Sequence, residues 1–497
     1  MGFFSDISTK LFGQEKKVRN KSRNVSSQKK DRRESFLSSE ERAPYFIQVG
    51  FDFGTSFSKC IYREISKDKA WVYIPRFAKS ELPFLIPSPV IFHNNFFKIH
   101  TDTEIQYPQH GLCHLKFAIE KVACGDIDNL VLDRYKKAAG ASDLESVTEF
   151  VRHCAVFYLA SSFCQILKDI KYRFKDFYQK TEDQVAVTMA IPVADACQEQ
   201  ISSCYKKILK TAWAVAPKLA GKEVLSRDEL IRIIETSSFD RVQDELCDVY
   251  PEVSANVQAF LRSPASSPDP RTIYFFSDVG AGTVDHSVFT YTEKLNYFAA
   301  EVFPLGSSRI EFEACSVPNS WDDMEYWRKE KEAGHEARPL IKAKRIIEDS
   351  LRQKTFSATL GDTCKCLSNS CGVSQRLTLQ SNAKFIFGGG GHLHLPYETG
   401  VTEGFNDFLK EGWRPFITSM QIPTDLEMDG QSEGWMKRLY VAYGLSFPIV
   451  DLAENTYPDQ NILEGEAECL VMKDCDCRGC NPSCTRCLGR GWYYEKK

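Results

Sequence analysis

The chain lacks the features that would place a protein in a membrane, in the secretory pathway or on nucleic acid. No apolar run approaches the roughly 20 residues that a membrane span needs. Basic residues follow the first apolar residues instead of preceding them, which does not fit a cleavable secretory signal. Charge of one sign is not in excess, since 63 Lys and Arg oppose 67 Asp and Glu for a net charge of −4. We therefore expect no specific nucleic-acid partner.

Cysteine, in contrast, is plentiful, with 18 residues. Twelve are spread through the body of the chain, and several of them, such as Cys60, Cys154 and Cys164, sit in apolar runs where a free thiol behaves as a small hydrophobe. The other six crowd into residues 469–487. This distribution favours a reduced, cytoplasmic protein with a metal-binding tail over a disulfide-linked secreted one.

The N-terminal 43 residues form a basic arm, with 11 Lys and Arg against 6 Asp and Glu and almost nothing apolar to bury. This composition predicts a mostly disordered segment, and a solvated tail is the plainer interpretation. The alternative is a short amphipathic helix in the first dozen residues that, beside the basic residues, binds an anionic membrane surface or a partner. The apolar residues on one side of this helix would be Phe3, Phe4, Ile7, Leu11 and Phe12. Asp6 breaks the N-terminal acylation pattern.

Two short segments each place an aspartate at the end of a strand-like run, follow it with small residues in a tight turn, and continue into a second strand. A turn of this kind lets backbone N–H groups approach phosphate oxygens, because glycine has no Cβ in the way. The aspartate can hold hydrated Mg²⁺. Two such turns predict a duplicated nucleotide clamp. The first comprises Asp52, Gly54, Thr55, Ser56 and Lys59, and the second comprises Asp278, Gly280, Ala281, Gly282, Thr283 and Asp285.

The order of strand and helix patterns predicts an α/β chain of two lobes. With 497 residues and a hydrophobic content of 43%, the chain is long enough to bury more than one core. After the arm at 1–43, we expect the first lobe at 44–263, the second at 264–424, a return to the first at 425–455, and a Cys-rich tail at 456–497. A loop rich in Pro and Ser follows residue 262 and separates the halves.

In motif order, residues 44–455 resemble the superfamily of actin, hexokinase and the DnaK-type heat-shock protein 70 ATPases. The resemblance implies paired ribonuclease-H-like lobes with ATP and Mg²⁺ in the cleft between them. The two turns resemble the phosphate-one and phosphate-two motifs of that superfamily. A later glycine run resembles its adenosine motif, and an Ala-Lys-Arg segment resembles a helix that packs on adenine and ribose. These similarities imply further nucleotide contacts at Gly306, Lys344, Arg345, Gly388, Gly389 and Gly390.

The residues expected to do the chemistry depart in places from the superfamily pattern. Chaperone ATPases have a phosphate-contacting lysine in a Gly-Asp-x-Ala-Lys segment, and this chain lacks that segment. Lys59, seven positions after Asp52 as in actin, is therefore the expected phosphate ligand, with Lys116 as the alternative. In the corresponding helix the chaperones have a glutamate directly before the proline, whereas in this chain Glu252 directly follows Pro251. It is a candidate general base, and an acidic residue that begins a helix is its ordinary role.

The expected reaction is slow phosphoryl transfer from ATP to water, which depends on positioning and charge neutralisation. In this scheme Asp52 and Asp278 hold Mg²⁺ through water, and Thr283 and Asp285 position the attacking water. Hydrolysis would drive a conformational switch between the lobes or with a protein partner. An actin-like filament protein is the alternative, and a small-molecule kinase is less favoured because no catalytic base can be placed beside an acceptor pocket.

The tail carries two Cys-x-x-Cys knuckles, which can supply four thiolates to one tetrahedral Zn²⁺. The second, with its Gly-x-Gly, resembles a repeat of the DnaJ zinc module. An iron–sulfur cluster and free thiols remain alternatives. Because 53 residues follow Gly444, we expect no peptide-binding domain like that of the chaperones in this sequence. The predicted zinc ligands are Cys477, Cys480, Cys484 and Cys487, with Cys475 as an alternative ligand.

Overall fold

The structure is a computed structural model, and it describes most of the chain between residues 42 and 456. The described ranges are 42–77, 82–192, 196, 198–237, 246–262, 272–291, 294–317, 320–371, 383–391, 394–409, 416–417, 422–428, 435–456, 470–474 and 492–496. The predicted disordered arm, apart from its last two residues, and all five predicted zinc ligands lie outside these ranges.

The first half of the chain folds around a mixed sheet. The strands of this half are β1 (Phe46–Asp52), β2 (Phe57–Glu64), β3 (Lys69–Val72), β4 (Ile86–Pro87), β5 (Val90–His93), β6 (Phe96–Ile99), β7 (Gly111–Leu112), β8 (Gln184–Ile191), β9 (Val224–Ser226) and β10 (Cys247–Pro251). Of these, β5, β6, β7 and β9 form a separate four-stranded sheet. Its helices are α1 (Leu115–Ala123), α2 (Asp133–Ala139), α3 (Leu144–Arg173), α4 (Glu199–Val215), α5 (Arg227–Glu235) and α6 (Glu252–Leu261).

The second half builds another mixed sheet. The strands of this half are β11 (Ile273–Val279), β12 (Val284–Tyr291), β13 (Leu295–Phe303), β14 (Ala383–Gly388), β15 (Phe416–Ile417), β16 (Leu426–Glu427), β17 (Asn455–Thr456), β18 (Leu470–Asp474) and β19 (Trp492–Lys496). Of these, β16 pairs with β3 of the first sheet, and β18 and β19 form a separate two-stranded sheet. Its helices are α7 (Ser307–Ala314), α8 (Trp321–Glu332), α9 (Arg338–Lys354), α10 (Leu360–Cys371), α11 (Leu395–Leu409) and α12 (Met436–Leu445). The chain is thus an α/β protein, as the sequence predicts.

The two main sheets repeat one plan. In the first, β1, β2 and β3 form an antiparallel meander, β8 pairs parallel with β1, and β10 pairs parallel with β8. In the second, β11, β12 and β13 form the meander, β14 pairs parallel with β11, and β15 pairs parallel with β14. Each sheet has its own buried core. We call the part built on the first sheet the first lobe and the part built on the second sheet the second lobe.

Helix α3 forms the centre of the first core. Asp143 caps its start by accepting a hydrogen bond from the backbone N–H of Ser146 at 2.8 Å. By length and composition α3 would also be able to cross a membrane, and it is the one helix among the described residues that passes this test. Its most apolar 18-residue window is 89% buried inside the protein, however. Burial of this kind is also found in the core helix of a soluble protein, so the test is weak support for a span.

Helices α6 and α12 cross at close range between the two sheets. A Cβ at Gly444 of α12 would collide with the backbone carbonyl of Ala255 on α6, and a Cβ at Gly50 of β1 would collide with the carbonyl of Ala442. Both glycines are therefore required by close backbone approach. The start of α6, which carries Glu252, lies near Asp52 and Asp278 at the ends of β1 and β11.

Strands β18 and β19 pair antiparallel, with Leu470 opposite Lys496 and Asp474 opposite Trp492. The segment that carries the predicted zinc ligands connects these two strands. The pairing therefore brings its two ends together, although the cysteines themselves lie outside the described residues.

Candidate functional site

A cleft of about 730 Å³ lies between the lobes. Both predicted turns, the glycine run after β14 and the start of α6 contribute to its lining. This cleft gathers most of the residues that the sequence singled out: Asp52, Gly54, Thr55, Ser56, Lys59, Lys116, Glu252, Asp278, Gly280, Ala281, Thr283, Gly389 and Gly390.

The first turn places an ion pair at the bottom of the cleft. Asp52 ends β1, and Lys59 lies directly opposite it on β2, so their side chains share one face of the sheet. The Lys59 ammonium lies 2.5 Å from Oδ2 of Asp52. Oδ1 of the same carboxylate is buried and has no hydrogen-bond partner among the described residues. Burial raises the pKa of Asp52, Lys59 opposes the rise and Glu252 adds to it, and the net shift is upward.

The second turn has the same construction, with an acid in place of the lysine. Asp278 is the last residue but one of β11, and Asp285 lies opposite it on β12. The turn between them is closed by the N–H of Gly280, which donates to the carbonyl of Thr283 at 2.9 Å. A Cβ at Gly306 would collide with the backbone of this turn at Gly282. Gly306 therefore supports the turn from behind and does not line the cleft.

The two turns face each other. A Cβ on Gly282 of the second turn would come within 3.1 Å of the Thr55 side chain of the first turn, and within 2.7 Å of the Phe117 ring on α1. Only a residue without a side chain permits this approach. The lobes thus present two backbone turns to the same space, which is the arrangement that the duplicated motif predicts.

Glu252 and Lys116 form a second ion pair in the cleft. Glu252 is the first residue of α6, after Pro251, and its carboxylate lies 2.5 Å from the Lys116 ammonium on α1. Their side chains are 15% and 7% exposed. Burial alone would lower the pKa of Lys116, but Glu252, followed by Asp52 and Asp285, more than offsets it and raises that pKa. Lys116 is thus held as a cation by the charges of Glu252, Asp52 and Asp285.

The carboxyl group of Asp278 has a raised pKa. Burial, then the charges of Glu252 and Asp52, raises its pKa to about 7. Asn256 on α6 opposes this by donating a hydrogen bond of 2.6 Å to Oδ2 of Asp278. A cation that entered the cleft would favour the ionised form.

The glycine run continues β14 beside Asp278. Gly388 pairs with Asp278 across the sheet, and Gly389 turns the chain with φ of +77°, a conformation in which glycine is favoured. A Cβ on Gly389 would collide with Oδ1 of Asp278, and one on Gly390 would lie 3.2 Å from Cζ of Arg438. This turn therefore separates the acidic part of the cleft from the Arg438 guanidinium on α12.

Some predicted contacts lie away from this lining. Helix α9 buries Leu340, Ala343 and Ile347 at helical spacing, and the intervening Lys344 is half-buried and Arg345 exposed. The cleft lining includes neither of these two basic residues. It also lacks Gly282, Gly306, Gly388 and Asp285, which lie beside or behind the turns.

Sequence reasoning missed several residues that line the cleft. They lie in segments without a phosphate-loop pattern and reach the cleft only because the lobes meet there. A lone polar residue in a loop or on a helix carries no signal of its own. The main ones are Gln106, Asn256, Arg328, Lys331, Glu332, His394, Lys437 and Arg438.

The described residues hold no cluster of three or more His, Cys, Asp or Glu side chains that would bind a metal on their own. Hydrated Mg²⁺ needs less, since it commonly binds one or two carboxylates together with substrate phosphates. The free Oδ1 of Asp52 and the neighbouring Asp278 fit that requirement. In comparisons with known proteins, no family matches this chain, and no curated protein matches it.

Proposed function

We propose that this chain is a heat-shock protein 70-like ATP-binding protein, with the two-lobed actin-like ATPase architecture, in which slow Mg²⁺-dependent hydrolysis drives a conformational switch or a protein interaction. The observation that carries the proposal is the pair of turns that face each other across one cleft. Each follows the first strand of a sheet with the same strand plan, and each has an aspartate at the strand end. A triphosphate bound by both turns would hold the lobes together, and its hydrolysis would allow the distance between the lobes to change.

The cleft also contains the charges that phosphoryl transfer requires. Asp52 and Asp278 would hold the hydrated Mg²⁺, whose role is to neutralise charge on the phosphates. Lys59 and Lys116 are both within the cleft, and each is now paired with a carboxylate. Incoming phosphates would compete with Asp52 and Glu252 for these two lysines. Release of Lys116 would leave Glu252 free to accept a proton from water.

Direct measurement of Mg-ATP binding tests the proposal. By isothermal titration, Asp52→Asn should weaken Mg-ATP binding at least tenfold, because one of two Mg²⁺-holding carboxylates is lost. Asp143→Asn changes a surface helix cap far from the cleft and should bind as wild type does. The proposal is wrong if the wild-type protein binds no Mg-ATP. A comparison of Lys59→Ala with Lys116→Ala then identifies the lysine that binds phosphate.

The proposed function extends to a zinc-binding tail. The support is the antiparallel pairing of β18 with β19, which joins the ends of the segment containing both Cys-x-x-Cys knuckles. A four-thiolate zinc site would close this loop and contribute to its folding.

A further inference from the structure

Residues 104–107 of the first lobe are clasped by helix α8 of the second lobe. The backbone N–H groups of Gln106 and Tyr107 donate to Oε2 of Glu325 at 3.1 and 3.2 Å. The guanidinium of Arg328 donates both to Oε1 of Glu325 at 2.6 Å and to the backbone carbonyl of Glu104. Arg328 thus fixes the carboxylate that holds this segment.

The side chain of Gln106 makes a second connection, inside the cleft. Gln106 is 7% exposed, and its Nε2 donates to Oγ of Ser56 in the first turn and, at 3.3 Å, to Oγ of Ser308 on α7. The backbone N–H of Ser308 in turn donates to the carbonyl of Ala281 in the second turn at 2.8 Å. One amide group therefore links both turns of the proposed nucleotide site.

We propose that Gln106 is a positioning residue that joins the lobes across the cleft and slows nucleotide release. Because the Ser56 hydroxyl accepts from Gln106, its own proton is left to donate to another group, and a phosphate oxygen in the cleft is a suitable acceptor. Separation of the lobes requires the hydrogen bond from Gln106 to Ser308 to break, because Ser308 lies in the second lobe, whereas Ser56 lies in the first lobe with Gln106. The idea deepens the proposed function and rests on it as far as nucleotide is concerned, but the junction between lobes is testable without nucleotide.

The first experiment uses the full chain without nucleotide. Hydrogen–deuterium exchange is measured for backbone amides in residues 104–107 and 306–311. Gln106→Met keeps the side-chain length but loses both donors, so exchange should rise about tenfold in these two segments, given that a net hydrogen bond changes an equilibrium by roughly that factor. Unchanged exchange would overturn the proposal. If Gln106→Met does not fold, Ser308→Ala removes one of the two bonds and should give about a threefold rise.

A matched control is available in Gln48. It is also a buried glutamine whose Nε2 donates to a hydroxyl, that of Thr188 at 3.0 Å, but both residues lie within the first sheet. Gln48→Met should lower stability without raising exchange at the two inter-lobe segments. Equal rises in both variants would show a general loosening and would also overturn the proposal.

The second experiment measures the dissociation rate of a fluorescent ATP analogue by stopped flow. Gln106→Met should release it about tenfold faster, and Gln48→Met at the wild-type rate. In Gln106→Glu the serine hydroxyls can donate to the carboxylate, so exchange in the apo protein stays low while the added negative charge weakens nucleotide binding. If the wild type binds nucleotide and Gln106→Met releases it at the wild-type rate, the positioning role is wrong and the proposed function stands. If the wild type binds none, the proposed function fails, and the exchange result alone decides whether Gln106 joins the lobes.

Discussion

Removal of the Glu252 carboxylate should destabilise the protein, because it leaves the buried Lys116 cation without its nearest counter-charge. Breaking one side of a buried ion pair costs about 3–5 kcal/mol. The lower end of that range applies here, since Asp52 and Asp285 also stabilise the charge of Lys116 and Glu252 is 15% exposed. We expect Glu252→Gln to lower the free energy of unfolding by about 3 kcal/mol.

The assay is a double-mutant cycle in guanidinium chloride. Lys116→Met removes the other charge, and the double variant Glu252→Gln with Lys116→Met removes both. Because the double variant leaves neither charge unpaired, it should be more stable than the sum of the single losses predicts, by about 2 kcal/mol. The control is the Lys222–Glu229 pair, which has the same 2.5 Å separation but 38% exposure on both sides. Its disruption by Glu229→Gln should cost about 0.5 kcal/mol or less.

Two results would refute this reasoning. If Glu252→Gln costs no more than Glu229→Gln, the pair contributes no more than a solvent-screened surface pair does. If the losses from the two single variants simply add in the double variant, Glu252 and Lys116 do not interact in the folded protein. Mg-ATP should also protect Glu252→Gln from unfolding if phosphates take over as the counter-charge of Lys116.

Further predictions follow from individual contacts. Gly444→Ala should lower the free energy of unfolding by about 3 kcal/mol or more, because the added Cβ would collide with a backbone carbonyl. Gly361→Ala in α10 adds a Cβ that meets nothing within 4 Å, and it should raise the free energy of unfolding by up to about 1 kcal/mol. Denaturation curves measure both changes. His286 is buried with its pKa lowered to about 3, so the folded protein keeps it neutral while the unfolded chain protonates it near pH 6.5. This residue should contribute a fall in stability of about 1.4 kcal/mol between pH 7.5 and 5.5, to which His114 and His153 add and which Asp278 opposes. His286→Gln should remove its own share of that pH dependence. With the pKa of Asp278 raised to about 7, Mg-ATP affinity should increase from pH 6 to 8 as this carboxylate ionises, in titrations repeated at each pH. Elemental analysis should find one zinc per chain, and less in Cys480→Ser; iron in its place would indicate a cluster.

The sequence was informative wherever local pattern has one structural outcome. Buried apolar runs ending in Asp52 and Asp278 predicted strands with a carboxylate at the end; β1 ends at Asp52, and β11 ends one residue after Asp278. Lys59 was expected in the site from its spacing of seven after Asp52, by resemblance to actin; the structure adds that Lys59 lies opposite Asp52 on the neighbouring antiparallel strand, so that both side chains share a face of the sheet.

Local pattern failed where a contact joins distant parts of the chain. Lys344 and Arg345 were expected at the nucleotide by resemblance alone; the buried residues of α9 lie at other positions and neither basic residue lines the cleft, so these contacts stay a prediction. Gln106 lies in a loop without any motif, and its two hydroxyl partners are 50 and 202 positions away. Its position is set by hydrogen bonds to Glu325 on α8, a residue more than 200 positions away in the chain.

By itself, the sequence determined an α/β chain with two similar turns, because hydrophobic periodicity, strand-end aspartates and glycine steric freedom are local properties. Only the tertiary structure decided that these turns face each other, that Lys116 pairs with Glu252 across 136 positions, and that one glutamine links the lobes. Those facts depend on how two separately packed cores contact each other. The contacts between the cores join residues that are far apart in the chain, so no local sequence pattern predicts them.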